Sequence, residues 1–119
     1  MIAPVVDLVF DEGCPNVAEA RVLLAAALDK QGLPVEWREW MRGRAETSVR
    51  FGGFGSPTIL VDGVDIEGGD ADEALIGVSC CRLYTHDDHM RGVPDFATIA
   101  AALARAIALS APDGRAYIL

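Results

Sequence analysis

The chain has 119 residues, of which 51% are apolar, and its formal charge at neutral pH is −8. This length and apolar fraction predict a single domain over residues 1–119, with one hydrophobic core. The negative charge, with no basic cluster to offset it, excludes nucleic acid as a partner, and no apolar run is long enough to predict a membrane span.

The first two predicted elements are a strand and a helix. Residues 4–10 are rich in Val, Leu and Phe and predict a buried strand, in which Asp7 is expected on the more open face. Residues 15–31 carry apolar side chains at helical spacing and therefore predict a helix. Pro15 suits the first helical position, and Gly32 is expected to end the helix.

A second strand and a flexible connection follow the helix. Residues 34–41 predict a strand whose alternation places Trp37 and Trp40 on opposite faces, where both are interpreted as packing residues. The polar residues 42–50 could hold a short helix. Residues 51–57 are rich in glycine and predict a loop that bends sharply.

The second half of the chain predicts a hairpin, an irregular segment and a last helix. Residues 58–61 form a β-branched strand, and the Asp-Gly turn at 62–63 leads into a short strand at 64–66. Residues 67–94 show no regular pattern. Asp95 is expected to cap a helix whose apolar stripe contains Phe96, Ile99, Leu103 and Ile107.

The order of these elements predicts an α/β fold. The first two strands are joined by a helix and should be parallel, whereas the hairpin strands should be antiparallel. The expected architecture is a small mixed β-sheet flanked by helices on both faces. A break at residues 111–114 would leave a short apolar tail at 116–119.

The leading candidate for a functional residue is Cys14, which stands where an apolar strand and a tight turn lead into a helix. Free N–H groups and the positive dipole end of a helix favour the thiolate, the reactive form of cysteine. The carboxylates of Asp11 and Glu12 act against the thiolate, and Arg50 or Arg82 could offset them if either lies close. A small thiol that only packs in the core is the alternative interpretation.

Three parts of the sequence resemble known proteins. They read FDEGCPN at residues 10–16, GSPTILVDG at 55–63, and SCCRLY with GVP at 79–84 and 92–94. The cysteine before the first helix and the Ser-Pro-Thr before the hairpin resemble the thioredoxin fold. More narrowly, the chain is similar to short bacterial proteins described as glutaredoxin-like or alkylmercury lyase-like. The resemblance implies a thioredoxin-like fold in which Pro57 is cis and faces the catalytic sulfur.

The resemblance also implies thiol-dependent oxidoreductase chemistry. Cys14 would attack a thiol or disulfide partner, either a protein or a small molecule. The substrate-contacting residues would be Pro15, Ser56 and Pro57, and the Ser56 backbone could offer strand-like hydrogen bonds to an extended partner. In the resembling group a cysteine precedes the arginine of the third segment, so Cys81 is the matching residue and would be a second catalytic group.

The chain departs from the CxxC motif of thioredoxins, because the fourth position is Val17. Cys14 cannot close the usual local disulfide, so its chemistry is either monothiol or resolved by a cysteine from elsewhere. Cys81 could resolve a mixed disulfide or sulfenic acid on Cys14 if residues 67–94 fold over the helix start. Cys80 is an addition to the resembling pattern.

A non-catalytic module is the alternative function. It would bind a soft metal such as mercury through Cys14, Cys80 and Cys81, or serve protein contacts only. Cys81, His86 and His89 are also ligand types for soft metals, but their spacing matches no firm zinc pattern, and both histidines are interpreted as surface residues. We expect no resident metal and no cofactor.

The number of cysteines indicates the cellular compartment, and the acidic residues after the hairpin indicate a solvated loop. Three cysteines are an odd number for a disulfide scaffold, and no signal-peptide pattern opens the chain, so we expect a cytoplasmic protein. Residues 65–73 carry five acidic side chains and are interpreted as a solvated loop.

Overall fold

The computed structural model describes residues 3–110, so the predicted break and apolar tail lie outside the described residues. The elements in chain order are β1 (Val6–Phe10), α1 (Val17–Lys30), β2 (Arg38–Met41), a 3₁₀ helix (Val49–Gly53), β3 (Thr58–Val61), β4 (Val64–Asp65), a second 3₁₀ helix (Glu73–Leu75), β5 (Tyr84–His86), β6 (His89–Arg91) and α2 (Phe96–Ser110).

A mixed four-stranded sheet with the order β2-β1-β3-β4 forms the centre of the fold. Strands β1 and β2 are parallel and the β3–β4 hairpin is antiparallel, as the sequence predicts. Strand β3 is also antiparallel to β1. The α/β class is therefore confirmed. Strands β5 and β6 form a separate hairpin inside the segment predicted to be irregular. Its turn is made by Asp87 and Asp88, whose φ angles are 48° and 68°.

Helix α1 starts later than predicted and ends where the sequence places its end. It begins at Val17, because Pro15 belongs to the turn that precedes it. At its end Gly32 has a φ angle of +71°, a conformation that glycine adopts at little cost. The backbone N–H of Leu33 donates to the Leu28 carbonyl at 3.0 Å, which satisfies one of the free carbonyls of the last turn.

The main core lies between one face of the sheet and both α-helices. From the sheet it takes Val6, Leu8, Ile59 and Val61, and from the helices Ala20, Leu24, Leu28, Ile99 and Leu103. The expectation of helices on both faces is corrected here, because α1 and α2 pack on the same face. Asp95 starts α2 as predicted, with one carboxylate oxygen accepting from the Ala97 N–H at 3.2 Å.

A smaller second cluster covers the other face of the sheet. Val9, Leu60 and Phe54 are buried in it, and Trp40 and Phe51 pack against them from its margin. The first 3₁₀ helix and the loop after it supply the two phenylalanines. This short segment takes the place of the α-helix expected on that face. Trp40 is therefore a packing residue, as predicted.

Two acidic residues of this second face are buried, contrary to expectation. Asp7 is only 2% exposed, because Arg38 donates to its carboxylate at 2.7 Å and the indole N–H of Trp40 donates at 2.8 Å. Asp65 is 3% exposed and pairs with Arg82 at 2.8 Å. The open face expected for Asp7 and the solvated loop expected for Asp65 are both wrong, since an arginine compensates each charge.

No helix among residues 3–110 combines the length and the apolar character needed to cross a membrane.

Candidate functional site

Cys14 lies in a turn between β1 and α1, two residues before the N-cap of the helix, Asn16. Gly13 has a φ angle of +76°, which lets the chain reverse direction after β1. The N–H of Cys14 donates to the Asp11 carbonyl at 3.1 Å and closes this turn. The sulfur is therefore close to the helix start but not within the first helical turn.

The Cys14 side chain is partly exposed and packs against the edge of the main core. It opens onto a cavity of about 210 Å³ that Phe10, Val17 and Arg21 also line. The Arg21 guanidinium lies over the Phe10 ring at 5.6 Å and pairs with Glu39 at 2.8 Å. A reactant at the sulfur would thus meet two apolar side chains, a guanidinium that is already paired, and Asp11, which also lines the cavity.

Asp11 joins the Cys14 turn to two other segments. Its N–H donates to the Ser56 hydroxyl at 2.8 Å, and its carbonyl accepts from Cys14. One carboxylate oxygen accepts from Arg42 at 2.6 Å and the other from the Cys80 N–H at 3.0 Å. The sequence suggests only a charge that opposes the thiolate, whereas the structure shows a residue that positions three parts of the site.

Arg42 is the cation that compensates Asp11. Its side chain is 5% exposed, and one terminal nitrogen donates at 2.7–3.0 Å to three backbone carbonyls, those of Gly52, Leu75 and Val78. The Nε atom is buried without a hydrogen-bond partner among the described residues. Arg42 therefore fastens the end of β2 to the 3₁₀ helix and to the loop that leads to Cys80.

The positions of Asp11 and Arg42 in the sequence indicate their pairing, which their charges alone do not. Asp11 directly follows β1 and Arg42 directly follows β2, and the last residues of these strands, Phe10 and Met41, are register partners. Because parallel strands end at the same edge of a sheet, their next residues come together there. The parallel strand prediction is therefore sufficient to place Asp11 beside Arg42.

The two arginines expected near Cys14, Arg50 and Arg82, form their contacts with other groups. Arg50 lies over the Phe54 ring at 5.2 Å and donates to a backbone carbonyl of the β3–β4 turn. Arg82 pairs with Asp65 and donates to the Thr58 hydroxyl at 3.0 Å. Both guanidinium groups thus stabilise the second face and the hairpin.

Ser56 is completely buried, and its backbone is already paired. Its N–H donates to the Cys80 carbonyl at 2.8 Å, and its carbonyl accepts from the Arg82 N–H at 2.9 Å, which makes a parallel bridge with Cys81. The strand-like hydrogen bonds predicted for an extended partner are thus taken by the chain itself. The Ser56–Pro57 peptide is cis, as predicted, and Pro57 is buried.

Tyr84 packs against the loop that contains Ser56 and Pro57. Its ring is 5% exposed, its hydroxyl donates to the Pro57 carbonyl, and Arg82 lies 4.7 Å from the ring centroid. Burial raises the pKa of Tyr84, while the positive charge of Arg82 acts in the opposite direction. The phenol therefore stays protonated and keeps its donor role at neutral pH. Pro15, the other predicted contact residue, is exposed next to Cys14.

Arg91 and Gly92, near the end of the segment 67–94, reach the start of α1, whereas Cys81 of the same segment lies beside Ser56. Gly92 lies directly against the Asn16 side chain, and a Cβ atom on Gly92 would come within 2.2 Å of the Asn16 amide nitrogen. Arg91 pairs with Glu19 in the first turn of the helix. The helix start is thus covered by the end of β6.

All three cysteines are free. Cys80 is partly buried and Cys81 is exposed, and both belong to the segment that pairs with Ser56. Residues 3–110 contain no group of three His, Cys, Asp or Glu side chains arranged to hold a metal ion. The sets considered for a soft metal, Cys14 with both other cysteines and Cys81 with His86 and His89, are therefore not assembled. Both histidines are exposed, as predicted.

Comparison with known proteins gives no match: no family model, no curated protein and no solved structure is significantly similar to this chain.

Proposed function

We propose that this chain is a thiol-dependent oxidoreductase-like protein that acts through Cys14. The observation that carries the proposal is the position of the sulfur. It is partly exposed, it opens onto a cavity, and its turn is fixed by Asp11, which also holds Ser56 and Cys80. A cysteine that only packs would need neither the opening nor this framework.

The proposal includes a thioredoxin-like arrangement of the fold. Its support is the sheet order β2-β1-β3-β4, with α1 after β1, both α-helices on one face, and the Ser56–Pro57 step directly before β3. Because one fold hosts many functions, this arrangement supports the chemistry only together with the cysteine. Three free thiols agree with a reducing compartment, and we propose the cytoplasm.

The proposed reaction is thiol–disulfide exchange. The Cys14 thiolate attacks one sulfur of a disulfide, a new bond forms to Cys14, and the other sulfur leaves as a thiolate that takes up a proton. A second thiolate then attacks this mixed disulfide. Attack on the partner sulfur forms a new disulfide with the partner and releases Cys14, whereas attack on the Cys14 sulfur forms a new disulfide with Cys14 and releases the partner thiol. Cys81 is the proposed internal second thiol, because its segment is tied to Asp11 through Cys80.

Alkylation rates separate chemical activation from simple exposure. Cys81 is more exposed than Cys14, so labelling controlled by access alone would modify Cys81 first. We expect iodoacetamide at neutral pH to modify Cys14 first, as measured by peptide mass mapping over time. The same reaction in urea gives the intrinsic rate of each thiol. Labelling in the order of exposure, with no acceleration of Cys14 over the unfolded chain, would overturn the proposed function.

A further inference from the structure

Residues 80–82 occupy the place at Ser56 where an added strand would bind. A peptide that extends a sheet bonds to the N–H and the carbonyl of one edge residue at a time. Here Cys80 accepts from the Ser56 N–H, and Arg82 donates to the Ser56 carbonyl. We call these three residues the 80–82 segment. It satisfies both groups, so none remains for a partner chain.

Side chains hold the 80–82 segment at both ends. At one end the Asp11 carboxylate accepts from the Cys80 N–H. At the other end Arg82 forms an ion pair with Asp65 at 2.8 Å, in which the two side chains are only 20% and 2% exposed. Such a buried ion pair does not separate readily, because each charge left alone would stay out of water with no opposite charge beside it.

The backbone at Gly55 is adapted to the same contact. A Cβ atom on Gly55 would lie 3.0 Å from the Arg82 Cβ and 3.3 Å from the Cys80 sulfur, closer than such atoms normally approach. The absence of a side chain at Gly55 therefore lets the 80–82 segment lie close to the loop before β3. The 80–82 segment is therefore closely packed against this loop and does not rest loosely on the surface.

We propose that the 80–82 segment is an internal strand that closes the peptide-docking edge at Ser56, so that the substrates of Cys14 are small thiol-reactive molecules and not extended polypeptides. The cavity at Cys14 measures about 210 Å³. A small disulfide needs only access to the sulfur through this opening, whereas an extended polypeptide also needs free backbone hydrogen-bond groups at Ser56. The inference rests on the proposed function of Cys14 and narrows its substrate class.

The test compares two mixed disulfides of 2-nitro-5-thiobenzoate, one with cysteamine and one with an unstructured cysteine-containing peptide. In a variant with Cys80→Ser and Cys81→Ser, only Cys14 can react. Its thiolate forms a disulfide with cysteamine or the peptide, and the coloured thiolate leaves. Each rate is divided by the rate of free cysteine with the same compound. We expect the normalised rate of the peptide not to exceed that of cysteamine, because the peptide finds no docking hydrogen bond. An open edge at Ser56 would instead make the peptide about tenfold faster, the factor for one net backbone hydrogen bond.

A variant with an added side chain at Gly55 and a matched control test the role of the 80–82 segment directly. Gly55→Ala should push the 80–82 segment away from Ser56 and raise the normalised rate of the peptide relative to that of cysteamine several-fold. Gly52→Ala is the control, because the nearest atom to its new Cβ is Ile76 Cγ1 at 3.8 Å, an ordinary contact. It should leave the ratio of the two normalised rates unchanged. Should Gly55→Ala fail to fold, amide hydrogen exchange of Ser56 and Arg82 in the unmodified protein replaces it, and both amides should be protected.

Two kinds of failure are distinguishable. A normalised peptide rate about tenfold above the cysteamine rate, or rapid exchange of the Ser56 and Arg82 amides, would overturn the inference while Cys14 remained reactive. A Cys14 that reacts with the cysteamine compound no faster than in the urea-unfolded chain would instead overturn the proposed function.

Discussion

Replacing Arg42 by methionine should destabilise the protein far more than the same replacement at Arg44. Arg42 and Asp11 are 5% and 19% exposed, and their charged atoms are 2.6 Å apart. Arg44 and Glu12 are 51% and 79% exposed, and their charged atoms are 4.0 Å apart. The two positions are two residues apart in the chain and carry the same side chain, so they differ mainly in burial and in partners.

The expected magnitude follows from what each arginine holds. Removing one partner of a buried ion pair lowers the free energy of unfolding by about 3–5 kcal/mol. Part of this loss comes from the backbone carbonyls that no longer have a hydrogen-bond donor. We therefore expect Arg42→Met to lower the free energy of unfolding by about 4 kcal/mol, a large part of the ~5–15 kcal/mol available to a domain. An exposed pair contributes ~0–1 kcal/mol, so Arg44→Met should cost below about 0.5 kcal/mol.

Urea unfolding followed by far-ultraviolet circular dichroism measures both free energies by linear extrapolation. Arg42→Lys is an intermediate variant, because an ammonium group reaches Asp11 as a point charge but lacks the fork that also meets the backbone carbonyls. It should lose less than Arg42→Met and more than Arg44→Met. Equal losses at positions 42 and 44, or a loss below about 1 kcal/mol for Arg42→Met, would refute the assignment of Arg42 as the anchor of the site.

The other predictions concern charge and thiol pairing. The hydrogen bond from Arg21 lowers the pKa of Glu39, so Glu39 stabilises the fold above its ordinary value of 4.5 and stops doing so as the pH falls through the lowered value. Glu39→Gln should therefore cost up to about 1 kcal/mol at neutral pH and almost nothing in strong acid, as urea titrations at the two pH values would show; equal costs would contradict this. Burial raises the pKa of Tyr84 above 10.0, so its contribution is complete below that pH and is lost above it, by at most about 1.4 kcal/mol per pH unit. Tyr84→Phe should lose less stability than the unmodified protein between neutral and strongly alkaline pH, and parallel losses would count against the buried phenol. Mild oxidation should join Cys14 to Cys81, and Cys81→Ser should trap Cys14 in mixed disulfides; peptide mapping that finds a bond to another cysteine would reject Cys81.

The sequence predicts most of the fold because its signals are local. The apolar run of β1, the turn before β4 and the glycine that ends α1 each depend on residues within a few positions of one another. The β5–β6 hairpin was missed because its strands are three residues each, and their side chains are mostly exposed. A short polar hairpin has no apolar alternation by which to recognise it.

The buried charges could be predicted only in part, because burial depends on partners that are distant in sequence. Asp7 lies 31 residues from Arg38, and no pattern near Asp7 shows that an arginine will cover it. Asp65 sits in an acidic run that reads as solvated, yet it is buried by Arg82. The parallel pairing of β1 and β2 does predict one such contact, that of Asp11 with Arg42, since it fixes which residues meet at the sheet edge.

The position of Asp11 connects the Cys14 turn to the 80–82 segment. Its carbonyl closes the Cys14 turn, and its carboxylate holds the Cys80 amide while Arg42 compensates its charge. A carboxylate that a buried guanidinium neutralises presents less net negative charge to the nearby sulfur than the sequence suggests. The same ion pair that holds the Cys80 amide therefore also borders the Cys14 turn, so this turn and the 80–82 segment belong to one framework.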